Sequence, residues 1–120
     1  MTQTSLTVGL GERAYDITIG PGLIDRAGSM LGEIVADRHT IVVTDDKVAS
    51  LHLQRLCDGL LPVVRKLDQF VVASGEASKS MEVFAQLLDD ILAIGVDRSV
   101  LLVAFGGGVI GDLTGFVAAS

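Results

Sequence analysis

Residues 100–112 read Val-Leu-Leu-Val-Ala-Phe-Gly-Gly-Gly-Val-Ile-Gly-Asp. The first six residues of this stretch are all apolar, as in a strand that is buried on both faces. Glycines follow at once, and a second apolar run opens at Leu113, so the pattern predicts a strand, a glycine turn and a helix start. Glycines let backbone amides approach a phosphate closely and adopt positive φ, and a helix N-terminus adds N–H donors. The stretch is therefore a candidate phosphate-binding turn.

Two similar strand-and-helix units precede this stretch. Strands are predicted over 40–44, 69–73 and 100–105, and from residue 39 on strands alternate with helices. This order is typical of a parallel sheet that is covered by helices on both faces. The predicted apolar helix faces are Leu23, Ala27, Met30, Leu31 and Ile34; then Ala49, Leu53, Leu56, Cys57 and Leu60, ended by Pro62; then Met81, Phe84, Leu88, Ile91 and Leu92, closed by Gly95.

The N-terminal segment has a different period. Apolar and polar residues alternate over 6–10 and again over 15–19, around Gly11-Glu12-Arg13, which predicts a β-hairpin. Together these patterns predict one α/β domain over 1–120, a Rossmann-like parallel sheet with helices on both faces plus an N-terminal hairpin.

Composition excludes several classes of protein. The net charge of −6 and the pI near 4.6 argue against sequence-independent binding of nucleic acid, which needs a basic surface. The apolar run 100–119 is long enough to cross a membrane, but Asp112 and three consecutive glycines disfavour a span. The N-terminus has no signal-peptide pattern, so a cytoplasmic location is expected.

The cysteine and the two histidines predict neither a disulfide nor a metal site. The single cysteine, Cys57, excludes an internal disulfide and is expected to be a small buried apolar residue. His39 and His52 have no partners at metal-ligand spacing and are predicted at the surface. No metal site is predicted within the chain.

Each predicted strand from residue 40 on runs directly into a polar loop. These loops span residues 45–47, 74–79 and 106–112. The carboxyl ends of parallel strands meet at one edge of a sheet, where open α/β sheets bind their ligands. The three loops are therefore predicted to converge on a ligand site.

Two interpretations stay open for each candidate residue. Gly106–Gly111 fits the G-x-G-x-x-G pattern of dinucleotide binding, but it follows the last strand, and the glycines could serve helix packing alone. Asp45 is suited either to accept both ribose hydroxyls or to cap the next helix. Glu76 and Lys79 are suited to a nucleotide or to a solvated surface pair. Asp112, the one charge in an apolar run, is either a cap or a site group.

These segments resemble the N-terminal, NAD-binding part of the 3-dehydroquinate synthase family, within the sugar-phosphate cyclase superfamily. The resemblance spans nearly all of the chain, which corresponds to the first third of a family member. The matching segments are Leu10-Gly11-Glu12-Arg13 with Tyr15 and Ile17, Val43-Thr44-Asp45, Gly75-Glu76 with Lys79, and Gly106 through Ala119.

The resemblance implies roles for individual residues. Asp45 would hold the adenosine ribose of NAD, and Glu76 and Lys79 would also contact NAD. The glycine turn would line the pyrophosphate and nicotinamide part of the site, through Gly107, Gly108, Val109, Gly111 and Asp112. No catalytic residue is expected within 1–120.

The resemblance also implies an activity for the full-length protein. It would be an NAD-dependent lyase of the shikimate pathway that converts a seven-carbon keto-sugar-acid phosphate, DAHP, to 3-dehydroquinate with loss of phosphate. A divalent metal, zinc or cobalt, would be bound by a Glu and two His of a helical C-terminal domain, and the enzyme would be a homodimer. The 120 residues would be a partial domain that lacks this C-terminal domain and is inactive alone.

The alternatives are another sugar-phosphate cyclase, a metal-dependent polyol dehydrogenase or, from a different class, a non-catalytic nucleotide-binding or interaction fragment.

Overall fold

The computed structural model describes residues 4–8, 15–19, 23–74, 81–96 and 99–119. Within these residues, five strands lie in two sheets: β1 (Thr4–Val8), β2 (Tyr15–Ile19), β3 (His39–Asp45), β4 (Lys66–Val72) and β5 (Leu101–Phe105). The helices are α1 (Ala27–Met30), α2 (Gly32–Val35), α3 (Asp46–Val48), α4 (Gln54–Leu60), α5 (Met81–Ala93) and α6 (Gly108–Ala119), with a π-helical turn over Ala49–Leu53 between α3 and α4.

The three predicted apolar strands form one parallel sheet in the order β4-β3-β5. The central strand β3 is buried along nearly its whole length, as expected for a strand that is apolar on both faces. Strand β4 begins at Lys66, earlier than the predicted Gln69, because the Arg65 amide already bonds the Arg38 carbonyl at 3.0 Å. The predicted parallel sheet is confirmed.

Two apolar cores lie on the two faces of this sheet. Val42 of β3 packs with α1, α2 and α4 on one face, around Ala27, Val35, Leu53, Leu56, Cys57 and Leu60. Ile41 and Val43 point the other way and pack with α5 and α6, around Leu87, Ile91, Ile110, Leu113 and Val117. The alternation of side chains along a strand produces this division, and helices cover both faces as predicted.

The helix before β3 differs from its prediction. It is broken at Leu31 into α1 and α2, and the predicted core residues Met30 and Ile34 are 39% and 52% exposed. A Cβ atom built on Gly28 would lie 2.1 Å from the Gly59 carbonyl oxygen, so α1 approaches α4 through Gly28 instead of through a larger side chain. Ala27 of the predicted face is therefore buried and Leu31 packs against the core, whereas Met30 and Ile34 turn outward.

The buried face of α5 is also rotated relative to its prediction. Met81 and Leu92 are 77% and 59% exposed, whereas Leu87 and Ile91 are buried against the sheet. Gly95 has a φ of +76° and its amide bonds the Leu92 carbonyl, which confirms that glycine ends this helix.

The segment after β3 is helical from residue 46 to 60, as the apolar spacing predicted. Leu53, Leu56, Cys57 and Leu60 are buried, and Pro62 lies in the turn that follows. The π-helical turn over Ala49–Leu53 was not predicted from the sequence.

The Cys57 thiol is buried, as expected, and donates a hydrogen bond to Gln69 Oε1 at 3.3 Å. Burial, and next the nearby Asp58 carboxylate, raise the pKa of this thiol.

Strands β1 and β2 pair antiparallel, with Thr4 opposite Ile19 and Val8 opposite Tyr15. The expected hairpin turn, residues 9–14, lies outside the described residues. Within the part of the chain that the structure describes, no helix has the length and apolarity needed to cross a bilayer.

Candidate nucleotide site

The three predicted loops begin at the same edge of the sheet. Asp45, the last residue of β3, is paired with Val72 of β4, and Thr44 is paired with Phe105 of β5. The strand ends are therefore level, and the loops that leave them start side by side. This confirms the predicted convergence for the described residues, whereas 75–80 lie outside them.

Asp45 caps the helical segment that follows it. Its backbone is extended, with φ −104° and ψ 168°, and its Oδ1 accepts a hydrogen bond from the Val48 amide at 2.8 Å. This is the N-cap geometry that the sequence allowed. The side chain is only partly buried. Its predicted contact with a ribose remains a prediction.

Two side-chain hydrogen bonds join neighbouring strand ends. The Thr44 hydroxyl donates to the Phe105 carbonyl at 2.6 Å. On the other side of β3, the Ser74 amide donates to Asp46 Oδ1 at 3.2 Å. Sequence reasoning missed both bonds, because it gave no pairing register between the strands. The signal available in the sequence was the segment Val43-Thr44-Asp45-Asp46, in which a hydroxyl and a second carboxylate flank Asp45 at the end of an apolar strand.

The glycine turn leads directly from β5 into α6, as predicted. Helical bonding begins with the Gly111 amide, which donates to the Gly107 carbonyl at 3.1 Å. The backbone amides of residues 108–110 thus come before the first helical bond and have no partner within the helix. Gly107 and Gly108 are both exposed, so an anion can approach the amides of this turn.

Packing within the described residues does not explain most of these glycines. Apart from its chain neighbours and the nearby backbone of its own helix, a Cβ atom built on Gly107, Gly108, Gly111 or Gly115 would meet no described atom within 4 Å. At Gly106, in contrast, a Cβ atom would lie 2.9 Å from the Ile110 side chain. Because the described residues leave space beside these glycines, we favour the interpretation that they make room for a ligand or another chain segment over the interpretation that they serve helix packing alone.

The glycine turn does not use the positive φ that glycine permits. Gly95 is the one glycine of the described part of the chain with a positive φ, and none of the glycines from 106 to 115 has one. The turn is built from ordinary backbone geometry, and its glycines provide space instead.

Other candidate residues have different outcomes. The Asp112 side chain is exposed in the first turns of α6, not buried in the apolar run around it. Val109 lies in the first turn of the same helix, but its side chain is outside the described part, as are Glu76 and Lys79. The proposed roles of these four residues are untested by the geometry.

The prediction for His39 is wrong, because its side chain is buried. Its Nε2 lies 2.6 Å from Asp68 Oδ2, and Lys66 Nζ lies 3.9 Å from the same oxygen. Asp68 lies on β4 two residues beyond the direct partner of His39, so the contact runs diagonally across the two strands. The pair lies at the opposite end of β3 from Asp45. His52 is half-buried in the π-helical turn.

A metal site is not formed by the residues that the structure describes. They contain no group of three or more His, Cys, Asp and Glu side chains that could hold an ion.

Comparison with known proteins finds relatives of this chain. Residues 69–120 match the family model "3-dehydroquinate synthase N-terminal". The 3-dehydroquinate synthase of Caulobacter vibrioides is 47% identical over 116 residues, and that of Rhodospirillum rubrum is 49% identical over 114 residues. These alignments cover 96% and 95% of this chain.

The chain is similar to 3-dehydroquinate synthases over nearly its whole length. It spans 31% and 30% of the two relatives, so it corresponds to the N-terminal part of a 3-dehydroquinate synthase.

Solved structures show the same fold. A 2-deoxy-scyllo-inosose synthase superposes with a TM-score of 0.81 at 19% identity, over 97% of this chain and 32% of that one. The 2-epi-5-epi-valiolone synthase of Streptomyces hygroscopicus, with NAD⁺ and Zn²⁺ bound, superposes with a TM-score of 0.70 at 29% identity. That match covers 93% of this chain and 31% of the other. The described sheet and helices thus have the fold of the corresponding part of these two synthases.

Proposed function

We propose that this chain forms the NAD-binding part of a 3-dehydroquinate synthase. The observation that carries the proposal is the meeting of Asp45 and the glycine turn at one edge of the sheet, where the described residues leave space beside Gly107 and Gly108. A carboxylate suits the two hydroxyls of a ribose, and exposed amides at the start of a helix suit a pyrophosphate. A ribose and the pyrophosphate of a dinucleotide would each find a partner at this edge.

Each residue has a distinct proposed role. Asp45 holds the adenosine ribose through its carboxylate. The backbone of Gly107, Gly108 and Val109 lies along the pyrophosphate, and the small size of Gly111 leaves room for it. Asp112 lies one residue further along α6 and borders the nicotinamide part of the site.

Glu76 and Lys79 are proposed to contact NAD because of the family resemblance. Their loop leaves β4 at Ser74, which is bonded to Asp46 beside Asp45. This placement of Ser74 supports the proposal that the loop runs along the nucleotide.

The proposed reaction of the whole protein is the conversion of DAHP to 3-dehydroquinate with loss of phosphate. NAD⁺ supplies a temporary hydride acceptor when bound, and a divalent metal supplies a Lewis acid. The residues of this chain bind and orient the nucleotide. The metal ligands and the sugar-acid phosphate contacts are proposed to come from the part of the relatives that this chain does not span, so we expect the isolated 120 residues to be inactive.

The identity values favour this activity over that of other cyclases. Curated 3-dehydroquinate synthases are 42–49% identical to this chain, whereas the two other types of cyclase are 19–29% identical. The homodimer and the cytoplasmic location remain proposals that follow from the resemblance.

Calorimetric titration with NAD⁺ tests the nucleotide site. Asp45→Asn keeps a side-chain oxygen that caps the helix equally well, but it removes the charged acceptor for the ribose hydroxyls. We expect the Kd for NAD⁺ to rise by about tenfold with an unchanged Tm.

The matched control is Asp58→Asn, an exposed carboxylate on α4 that accepts a hydrogen bond from Gln54. This variant should bind NAD⁺ like the unaltered chain. Equal affinity in Asp45→Asn and Asp58→Asn would show that Asp45 does not hold the nucleotide.

A further inference from the structure

Two hydrogen bonds flank Asp45 and join its loop to both neighbouring loops. Thr44 Oγ1 donates to the Phe105 carbonyl at 2.6 Å, and Asp46 Oδ1 accepts from the Ser74 amide at 3.2 Å. We propose that Thr44 and Asp46 are positioning residues, which hold the glycine turn and Ser74 in place relative to Asp45. This inference rests on the proposed function, because it concerns the same nucleotide site.

Both bonds lie where the backbone ladder of the sheet ends. The last pairs of the ladder are Asp45 with Val72 and Thr44 with Phe105. Beyond them β3 runs directly into α3, whereas β4 and β5 lead into Ser74 and the glycine turn, and backbone outside the ladder opens at low free energy when such ties are missing. The side chains on either side of Asp45 supply one bond in each direction. The middle strand thus fixes both outer loops at the edge where the nucleotide would lie.

The Thr44 bond controls the direction of a backbone amide in the glycine turn. The Phe105 carbonyl belongs to the same planar peptide unit as the Gly106 N–H, and in a trans peptide the two groups point in opposite directions. A hydrogen bond to that carbonyl therefore fixes where the Gly106 N–H points. Thr44 is fully buried, so its bond lies in a low-dielectric interior, where it is strong.

The Asp46 bond has a different character. Asp46 is exposed and lies outside both apolar cores, so its side chain makes no packing contribution to them. Its carboxylate forms a charge-assisted bond to the backbone at the start of the second loop, two residues after β4 ends. Removal of the carboxylate should free Ser74 without unfolding the chain.

Four variants separate positioning from general stability. Thr44→Val removes the hydroxyl and Thr44→Ser keeps it, whereas Asp46→Ala removes the acceptor oxygen and Asp46→Asn keeps it. The control for the buried site is Thr40→Val, on the same face of β3 at its opposite end, where the hydroxyl lies 3.5 Å from the Arg38 carbonyl. The measurements are the Kd for NAD⁺ by calorimetry, the Tm and the exchange rate of the Ser74 amide by NMR.

We expect Thr44→Val and Asp46→Ala each to raise the Kd for NAD⁺ by about fivefold, the equivalent of one net hydrogen bond. Thr44→Ser, Asp46→Asn and Thr40→Val should stay within about twofold of the unaltered chain. Asp46→Ala alone should speed exchange of the Ser74 amide, since only this variant removes its acceptor.

The outcomes distinguish the two proposals. If the unaltered chain binds NAD⁺ and both Thr44→Val and Asp46→Ala bind it equally well, the positioning role is overturned and the proposed function stands. If the unaltered chain does not bind NAD⁺, the proposed function and this inference fall together. An unchanged Ser74 exchange rate in Asp46→Ala would overturn the Asp46 part by itself.

Discussion

The Asp45 carboxylate accepts a hydrogen bond from the Val48 amide, and its strand position also places it beside the glycine turn. One side chain thus serves the local fold and stands where a ribose is proposed to bind. The sequence predicted both roles, because an acidic residue between an apolar strand and a helix suits both. The contact of the buried His39 with the partly exposed Asp68 could not be predicted, since it depends on how β3 and β4 align.

The Cys57 thiol provides a test at the residue scale. Because burial raises its pKa, little thiolate is present at pH 8 and access is restricted. We expect the native chain to react with a disulfide reagent at least about tenfold more slowly than the chain in urea, and to speed up as the pH rises further.

The control is the reaction of free cysteine at the same pH, which sets the rate of an exposed thiol. Equal rates for the native and the urea-unfolded chain would contradict the buried position of Cys57.

At the scale of elements, apolar spacing predicted which segments are helices but not which way each helix faces. The apolar residues from Leu23 to Ile34 were predicted to lie on one face of a single straight helix. The helix instead breaks at Leu31, and its first part packs through Gly28. In α5, Met81 and Leu92 lie at the margins of the predicted apolar face, and a small rotation exposes them. Such rotations depend on contacts between elements that are distant in sequence.

The contact of α1 with α4 gives the test at this scale. A Cβ atom at Gly28 would meet the Gly59 backbone oxygen, which cannot move aside as a flexible side chain could. We expect Gly28→Ala to lower the free energy of unfolding by about 1–3 kcal/mol in urea titrations.

Gly32→Ala is the matched control, since a Cβ atom there has nothing within 4 Å. It should leave stability unchanged or raise it slightly, because alanine favours a helix. Equal stabilities of the two variants would argue against close contact of the helices.

At the scale of the whole molecule, the alternation of strands and helices predicted the parallel sheet and the edge where its loops meet. The loops start close together because the register of the strands pairs Asp45 with Val72 and Thr44 with Phe105. The sequence pattern contains no information on register between distant strands. It therefore predicted the candidate site as a set of loops but missed the bonds that join them.

The central claim, that this chain is the NAD-binding part of a 3-dehydroquinate synthase, is tested most directly by a chimera. The 120 residues would replace the matching 31% of the Caulobacter vibrioides 3-dehydroquinate synthase. Phosphate release from DAHP would be measured with and without NAD⁺, beside the unaltered Caulobacter enzyme. We predict NAD⁺-dependent release, with an apparent KM for NAD⁺ about tenfold higher in Asp45→Asn. A folded chimera without NAD⁺-dependent phosphate release would contradict the claim.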